Sequence, residues 1–261
     1  MFDLSGKTAL VTGATGGIGG DIARALHAQG AKVAISGTRR DVLNALAAEL
    51  GGAPVLPCDL ANKEQVETLV PDAEKALGQL DILVANAGIA SAAPIEETSL
   101  DLWRRNHDVL AEGYFLSARE AFPLLKAFGG AIVFVGSKNA LAASINASAY
   151  ASAKAAALHL ARCLALEGAP HGIRVNVVNP DAVIRGSRIW DGDWRRERAD
   201  AYGIDPGEAL EAHYRDRSLL KRDVLPEDVA EAVAFFASDR ASKSTGNILN
   251  VDAGNAQAFT R

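Results

Sequence analysis

The sequence predicts an α/β fold: a doubly wound, mainly parallel sheet with helices on both faces. Three observations predict it. Seven short β-rich runs, at 8–12, 32–36, 54–58, 82–86, 131–136, 174–178 and 247–251, alternate with longer Ala/Leu-rich helical patterns at 18–29, 41–50, 63–77, 100–128, 148–166 and 226–237. Runs such as Ile132-Val133-Phe134-Val135 are apolar at every position, as in strands covered on both sides. The 261 residues, 49% of them hydrophobic, suit one large domain with a substantial core.

Composition excludes several function classes. The formal net charge of -5 gives no basic surface for nucleic acid. The two cysteines, Cys58 and Cys163, stand far apart and belong to neither a disulfide framework nor a zinc motif, so no metal is expected. The opening residues Met1 to Lys7 have no basic n-region followed by an apolar stretch, and no apolar run is long enough to span a bilayer. The expectation is a cytoplasmic chain that meets neither membrane nor nucleic acid and acts on a small-molecule substrate.

Taken in order, the first run leads into Thr12-Gly13-Ala14-Thr15-Gly16-Gly17-Ile18-Gly19, a glycine-rich turn that opens the first helix. Gly13, Gly17 and Gly19 allow a tight turn and a close approach of backbone to a pyrophosphate. The helix start supplies free N–H groups and positive dipole. This is the strand–turn–helix context of a Rossmann-type dinucleotide site. The second run ends Ser36-Gly37-Thr38-Arg39-Arg40, without the carboxylate that would hold an adenosine ribose. Arg39 and Arg40 suit the 2′-phosphate instead, so NADP(H) is favoured, with NAD(H) the alternative. Asp59 follows the third run, placed to accept a hydrogen bond from an adenine amino group. Asn86-Ala87-Gly88 follows the fourth, beside the cofactor's path.

The fifth run ends at Ser137. Thirteen residues on, Tyr150 and Lys154 stand four apart on a strongly helical segment and share one face. A free phenol has a pKa of about 10, too high for acid/base work near neutrality, and a neighbouring ammonium favours the phenolate. The expectation is that Tyr150 moves a proton, Ser137 holds the substrate oxygen, and Lys154 tunes Tyr150 and holds the nicotinamide ribose. Residues 185–222, between the sixth run and the next helix, carry little periodic pattern but many charges and aromatics. Lying outside the carboxyl ends of the strands, they read as a substrate lid on a single domain spanning 1–261.

The joint arrangement resembles the short-chain dehydrogenase/reductase family over essentially the whole chain. Thr12-Gly13 through Gly17-Ile18-Gly19 is similar to its cofactor motif, Asn86-Ala87-Gly88 to its structural motif, and Ser137, Tyr150 and Lys154 to its catalytic set. The resemblance implies a seven-stranded Rossmann sheet, nicotinamide-dependent interconversion of an alcohol and a carbonyl, no catalytic metal, and a homodimer or homotetramer. It also implies that Thr15, Leu60, Pro180 and Val183 line the cofactor's path. Three departures stand out. Leu110 occupies the position of a family Asn thought to support a water-linked proton path to the lysine, with Asn106 and His107 a turn earlier. Pro180-Asp181 replaces Pro-Gly, and Arg185, with Ser187 two residues on, replaces a Thr that contacts the nicotinamide amide.

Residues 1–88 resemble 3-oxoacyl-acyl-carrier-protein reductases, especially at Ser36-Gly37-Thr38-Arg39-Arg40. From about Ile89 the chain resembles the dehydrogenase domain of bifunctional rhamnulose-phosphate aldolase/alcohol dehydrogenases, at Asn106-His107-Asp108-Val109-Leu110 and Asn179-Pro180-Asp181-Ala182-Val183 among other stretches. That half implies a small hydroxylated or sugar-derived substrate such as lactaldehyde. Lys138, Asn139, Asn146 and Asp181 suit hydroxyl recognition, while Arg185, Arg188 and Trp190 suit an anionic or larger group. The alternatives are reduction of a 3-oxoacyl thioester and a non-catalytic dinucleotide sensor.

Overall fold

The computed structural model describes residues 2–259 of the chain. Seven strands form one parallel sheet in the order β3-β2-β1-β4-β5-β6-β7. They are β1 (Thr8–Val11), β2 (Lys32–Gly37), β3 (Val55–Pro57), β4 (Ile82–Ala85), β5 (Gly130–Val135), β6 (Ile173–Pro180) and β7 (Ile248–Val251). The order reverses between β1 and β4, so the connections from their carboxyl ends diverge and leave a crevice there. The expected doubly wound sheet is present.

The continuous apolar runs fill two layers. Ala9, Val11, Val33, Ile35, Val84 and Val133 face one side, under α1 (Gly17–Ala28), α2 (Arg40–Glu49) and α9 (Pro226–Ala237). Leu10, Ala34, Leu83, Ile132, Phe134 and Val177 face the other, under α3 (Lys63–Leu77), α5 (Gly113–Lys126) and α6 (Ser148–Gly168). Successive strand side chains point to opposite faces, so both layers need apolar residues and no alternation survives in the sequence. Each fully buried Leu or Ile contributes roughly 1.5–3 kcal/mol relative to its exposed state.

Two expectations change. The helical run at 100–128 is two helices, α4 (Leu100–His107) and α5, joined by a π-turn over Asp108–Glu112. The wider turn keeps the chain helical while Asn106, Leu110 and Tyr114 are all buried. Segment 185–222, without a readable period, holds two ten-residue helices, α7 (Asp193–Tyr202) and α8 (Glu208–Arg217). Their packing comes from large rings rather than from an Ala/Leu stripe: Trp190, Trp194 and Tyr214 join Ile184, Ala199 and Leu210 in a separate apolar cluster. Trp190 meets Trp194 at 6.0 Å and Tyr214 at 5.3 Å, both edge to face. Glu197 of α7 accepts a hydrogen bond from the Ala92 amide at 3.0 Å, tying the segment to the loop after β4. No described helix is long and apolar enough to cross a membrane.

Candidate active site

At the switch point the ends of β1 and β4 are laced together. The Thr12 hydroxyl donates to the Val84 carbonyl and accepts from the amides of Asn86 at 3.0 Å and Ala87 at 3.2 Å. The Asn86 side chain donates to the carbonyls of Thr12 at 2.9 Å and Gly13 at 3.3 Å. Gly13 lies at φ +68°, and a Cβ there would stand 2.4 Å from the Ala87 Cα, so only glycine fits. The first N–H groups of α1, at Gly17, Ile18 and Gly19, then open onto the crevice without intrahelical acceptors.

The crevice is a cleft of about 680 Å³. Gly13, Thr15, Gly17, Ile18, Gly19, Thr38, Arg39, Asp59, Leu60, Asn86, Ala87 and Gly88 all line it, as the sequence suggests. Arg40 does not; it begins α2 and is exposed. Arg39 turns its guanidinium back onto the Thr15 carbonyl, across the mouth of the glycine turn. The Asp59 carboxylate is already paired with Arg105 at 3.2 Å. A dinucleotide fits these residues: glycine-bared backbone, exposed helix N–H groups, a guanidinium at the end of β2 and no carboxylate there. Segment 185–222 reaches the same cleft, with the Gly186 carbonyl so close to Gly17 that a Cβ there would lie 1.5 Å from it.

Ile18, Asn86, Gly88 and Trp194 also wall a second, inner pocket of about 100 Å³. Ser137, Tyr150, Lys154, Pro180 and Val183 line it. Ser137 follows β5 directly. Its amide donates to the Asn179 side chain at 3.0 Å, and its hydroxyl accepts from the Asn139 amide at 3.1 Å. Tyr150 sits in the first turn of α6 and Lys154 one turn later, and both are buried. Burial pushes the Tyr150 phenol up from its ordinary value and the Asp181 charge adds to this, while a hydrogen bond from Ser137 works against both. Burial also pulls Lys154 down to about 7.

This changes the expected division of labour. The Lys154 ammonium donates to the Val135 carbonyl at 2.8 Å and to the Tyr114 hydroxyl at 3.2 Å, and Tyr114 itself donates to Val135 at 3.1 Å. The lysine is thus anchored below the pocket, and burial rather than the ammonium dominates the Tyr150 phenol. Leu110, fully buried, offers no polar group. Neither neighbour replaces one: Asn106 donates to Ser91 and to the Leu102 carbonyl, and His107 bonds the Trp103 carbonyl. The residue that reaches the lysine is Tyr114, hidden in the sequence as one more ring on an apolar helix face.

The substrate-side residues scatter more. Asn139, Asp181 and Trp190 line the inner pocket. Lys138 stands behind it, donating to Ser144 and to the Ala142 carbonyl. Asn146 forms a turn at φ 57°, its carbonyl accepting from Ala93. Arg185 is a surface residue, its side chain 60% exposed and paired with Glu211 and Asp223. The Arg188 side chain lies outside the described ones. Sequence reasoning missed Ser144, Trp194, Tyr214 and Arg217, which complete the pocket walls. Among the described residues no three His, Cys, Asp or Glu side chains converge as a metal site.

Sheet order, glycine turn and the Ser–Tyr–Lys pocket define a nucleotide-dependent oxidoreductase architecture, and comparison with known proteins gives it a family. A family model described as enoyl-(acyl carrier protein) reductase matches residues 13–256, and the chain belongs to the short-chain dehydrogenase/reductase family. It is similar to the uncharacterized oxidoreductase YuxG of Bacillus subtilis (strain 168), 48% identical over 267 residues; the match covers 99% of this chain but only 39% of that protein's length. D-threitol dehydrogenase of Mycolicibacterium smegmatis is 35% identical over 262 residues, covering 97% of this chain and 94% of the relative. The crystal structure of a putative short-chain alcohol dehydrogenase from Sinorhizobium meliloti 1021 superposes with a TM-score of 0.85 at 29% identity, covering 99% of each chain. The chain is accordingly an oxidoreductase of the type that interconverts alcohols and carbonyls with a nicotinamide dinucleotide.

Proposed function

We propose that this chain is an NADP(H)-preferring alcohol dehydrogenase/carbonyl reductase acting on a small hydroxylated or sugar-derived substrate, with Tyr150 as its acid/base. The observation that carries the reading is the convergence of Ser137, Tyr150 and Lys154 on one inner pocket that opens into the dinucleotide cleft. Nicotinamide, when bound, supplies the hydride donor or acceptor. In the reducing direction the Ser137 hydroxyl orients the substrate carbonyl and the Tyr150 phenol, kept protonated by burial, gives it a proton; in the oxidising direction the substrate hydroxyl gives its proton to the Tyr150 phenolate, a form that the positive charge of a bound oxidised nicotinamide would favour. Lys154, held by Val135 and Tyr114, lines the inner pocket beside Tyr150, from where its remaining N–H would hold the nicotinamide ribose hydroxyls. Trp190 and Trp194 exclude water from the pocket, the role expected of a lid over 185–222 on a single domain. The Asn179 side chain fixes the backbone of Ser137, so this geometry is set before substrate arrives.

The preference for NADP(H) rests on Arg39 and on the missing carboxylate at the end of β2. The substrate class rests on the small polar pocket and on the likeness to a threitol dehydrogenase. A cytoplasmic homodimer or homotetramer is the assembly the family resemblance suggests. A pocket of about 100 Å³ gives a 3-oxoacyl chain little room, which disfavours that alternative.

The test is steady-state turnover with NADP(H) and NAD(H) on threitol, propane-1,2-diol, lactaldehyde and a 3-oxoacyl thioester. Turnover of the polyols or the hydroxyaldehyde with NADP(H) is expected. Turnover of the thioester alone would overturn the substrate reading, and dinucleotide binding without turnover on any carbonyl would favour the sensor.

A further inference from the structure

The inner pocket is surrounded by more buried positive than negative charge. Lys138, after β5, and Arg198, on α7, are 2% and 1% exposed. Lys138 donates to Ser144 and the Ala142 carbonyl; Arg198 donates to the Ile145 carbonyl and to the Tyr202 and Tyr214 hydroxyls. Neither has a carboxylate partner among the described residues. Arg217, at the end of α8, is the third cation. The carboxylate acting on Lys138 and Arg217 is Asp181, and it is already engaged, by Arg217 at 2.5 Å and by the Asn255 amide at 2.8 Å. The Tyr202 phenol feels these cations: burial works to raise it, yet the Arg198 charge, the hydrogen bond with Tyr214 and then the Arg217 charge hold it below its ordinary value. Buried charge left uncompensated is expensive, and such a cost is retained where a ligand removes it.

Arg217 is the member of this set that reaches the pocket wall, where it stands with Ser137 and Tyr150. Its guanidinium lies 4.1 Å over the Tyr214 ring and gives one amino group to Asp181. Its Nε is buried and has no hydrogen-bond partner. Asp181 and burial thus close the Nε/Nη2 edge, while Nη1 makes no hydrogen bond to the described residues, so the outer edge of the guanidinium is the one left to receive an oxyanion.

We infer that the substrate carries an oxyanion group, a carboxylate or a phosphate, that Arg217 receives while Tyr150 serves the reacting carbon at the other end of the pocket. This rests on the proposed dehydrogenase function and narrows it to short hydroxy- or oxo-compounds with a charged terminus. Lys138 and Arg198 act from behind, raising the potential without touching the substrate. The cationic role that the sequence suggested for Arg185 belongs to Arg217, thirty-two residues further along the chain.

Trp190 and Trp194 line the pocket, so their fluorescence reads occupancy independently of turnover. The test titrates lactate, inorganic phosphate and the neutral propane-1,2-diol into the full chain with its dinucleotide, in the wild type, Arg217→Met, Arg217→Lys and Asp181→Asn. At least one anion is expected to bind tenfold or more tightly than the diol. Arg217→Met should lose that tenfold while leaving the diol within twofold. Arg217→Lys, which keeps the charge and the fold, should retain part of it. Asp181→Asn, by removing the competing carboxylate, should tighten the anion. Lactate above phosphate assigns a carboxylate, and the reverse a phosphate. Equal binding of all three probes, or anion binding unchanged in both Arg217 variants, would overturn the inference. Turnover of neutral polyols alongside that result would leave the proposed function standing. Anion binding without any dehydrogenase turnover would instead sink the proposed function.

Discussion

The dinucleotide cleft and the inner pocket are built by opposite means. The cleft is made of backbone: Gly13 against Ala87, Gly17 against Gly186, and the open N–H groups at the start of α1. The inner pocket is made of side chains from distant segments: Ser137 after β5, Tyr150 and Lys154 on α6, Asp181 after β6, Trp194 on α7 and Arg217 on α8. A nucleotide's phosphates present the same chemistry in every member of such a family, and main-chain N–H groups suffice for them. A substrate is told apart only by side chains. The first region is therefore general and the second particular to this chain.

Substitutions can break or sharpen that contrast. Gly17→Ala has the largest expected effect after loss of the acid/base itself. Its Cβ would collide with the Gly186 carbonyl, so the segment over the cleft must move, and dinucleotide affinity should fall roughly ten- to a hundredfold by calorimetric titration. Arg39→Ala should cost on the order of tenfold in kcat/KM for NADPH and little for NADH. Arg40→Ala should change neither by more than about twofold, because Arg40 lies outside the cleft. Equal losses in the two variants would remove the assignment of Arg39.

A smaller effect is expected at Tyr114. Tyr114→Phe leaves the buried Lys154 with the Val135 carbonyl as its acceptor, a loss worth about 1 kcal/mol. The lysine sits at about 7 through burial, and removing a partner of its charged form lowers it further. The limb of the kcat/KM pH profile that reports Lys154 deprotonation should therefore move to lower pH, with kcat near neutrality down about fivefold. An unshifted profile would confine Tyr114 to packing. Arg185→Ala should be nearly silent, within about twofold in kcat/KM and 0.5 kcal/mol in stability, because its ion pairs are exposed.

The same contrast explains what the sequence disclosed. Glycine is required where backbone must approach backbone, so Gly13, Gly17 and Gly19 mark the cleft in the chain itself. The doubly apolar runs likewise disclose the parallel sheet. Tyr150 and Lys154 are legible because one helix turn separates them. Arg217 is not, because its partner Asp181 is thirty-six residues away and only the packing of Trp190, Trp194 and Tyr214 folds α8 back onto the strand ends. Tyr114 was obscured by its apolar helix, and Lys138 and Asn146 looked like ligands because polarity in a sequence does not reveal whether a side chain lines a pocket, supports it from behind or makes a turn. Arg185 looks like a ligand for the same reason, yet it is exposed and paired with Glu211 and Asp223.

The most direct measurement is the oxidation and reduction rate of Tyr150→Phe, followed through the absorbance of the reduced nicotinamide, beside its dinucleotide affinity. If Tyr150 moves the proton, kcat falls about 10²–10⁴-fold while the affinity stays within about twofold of the wild type and the thermal transition is kept. A Tyr150→Phe enzyme that turns over its substrate within about tenfold of the wild type would contradict the assignment of this pocket as the seat of the chemistry.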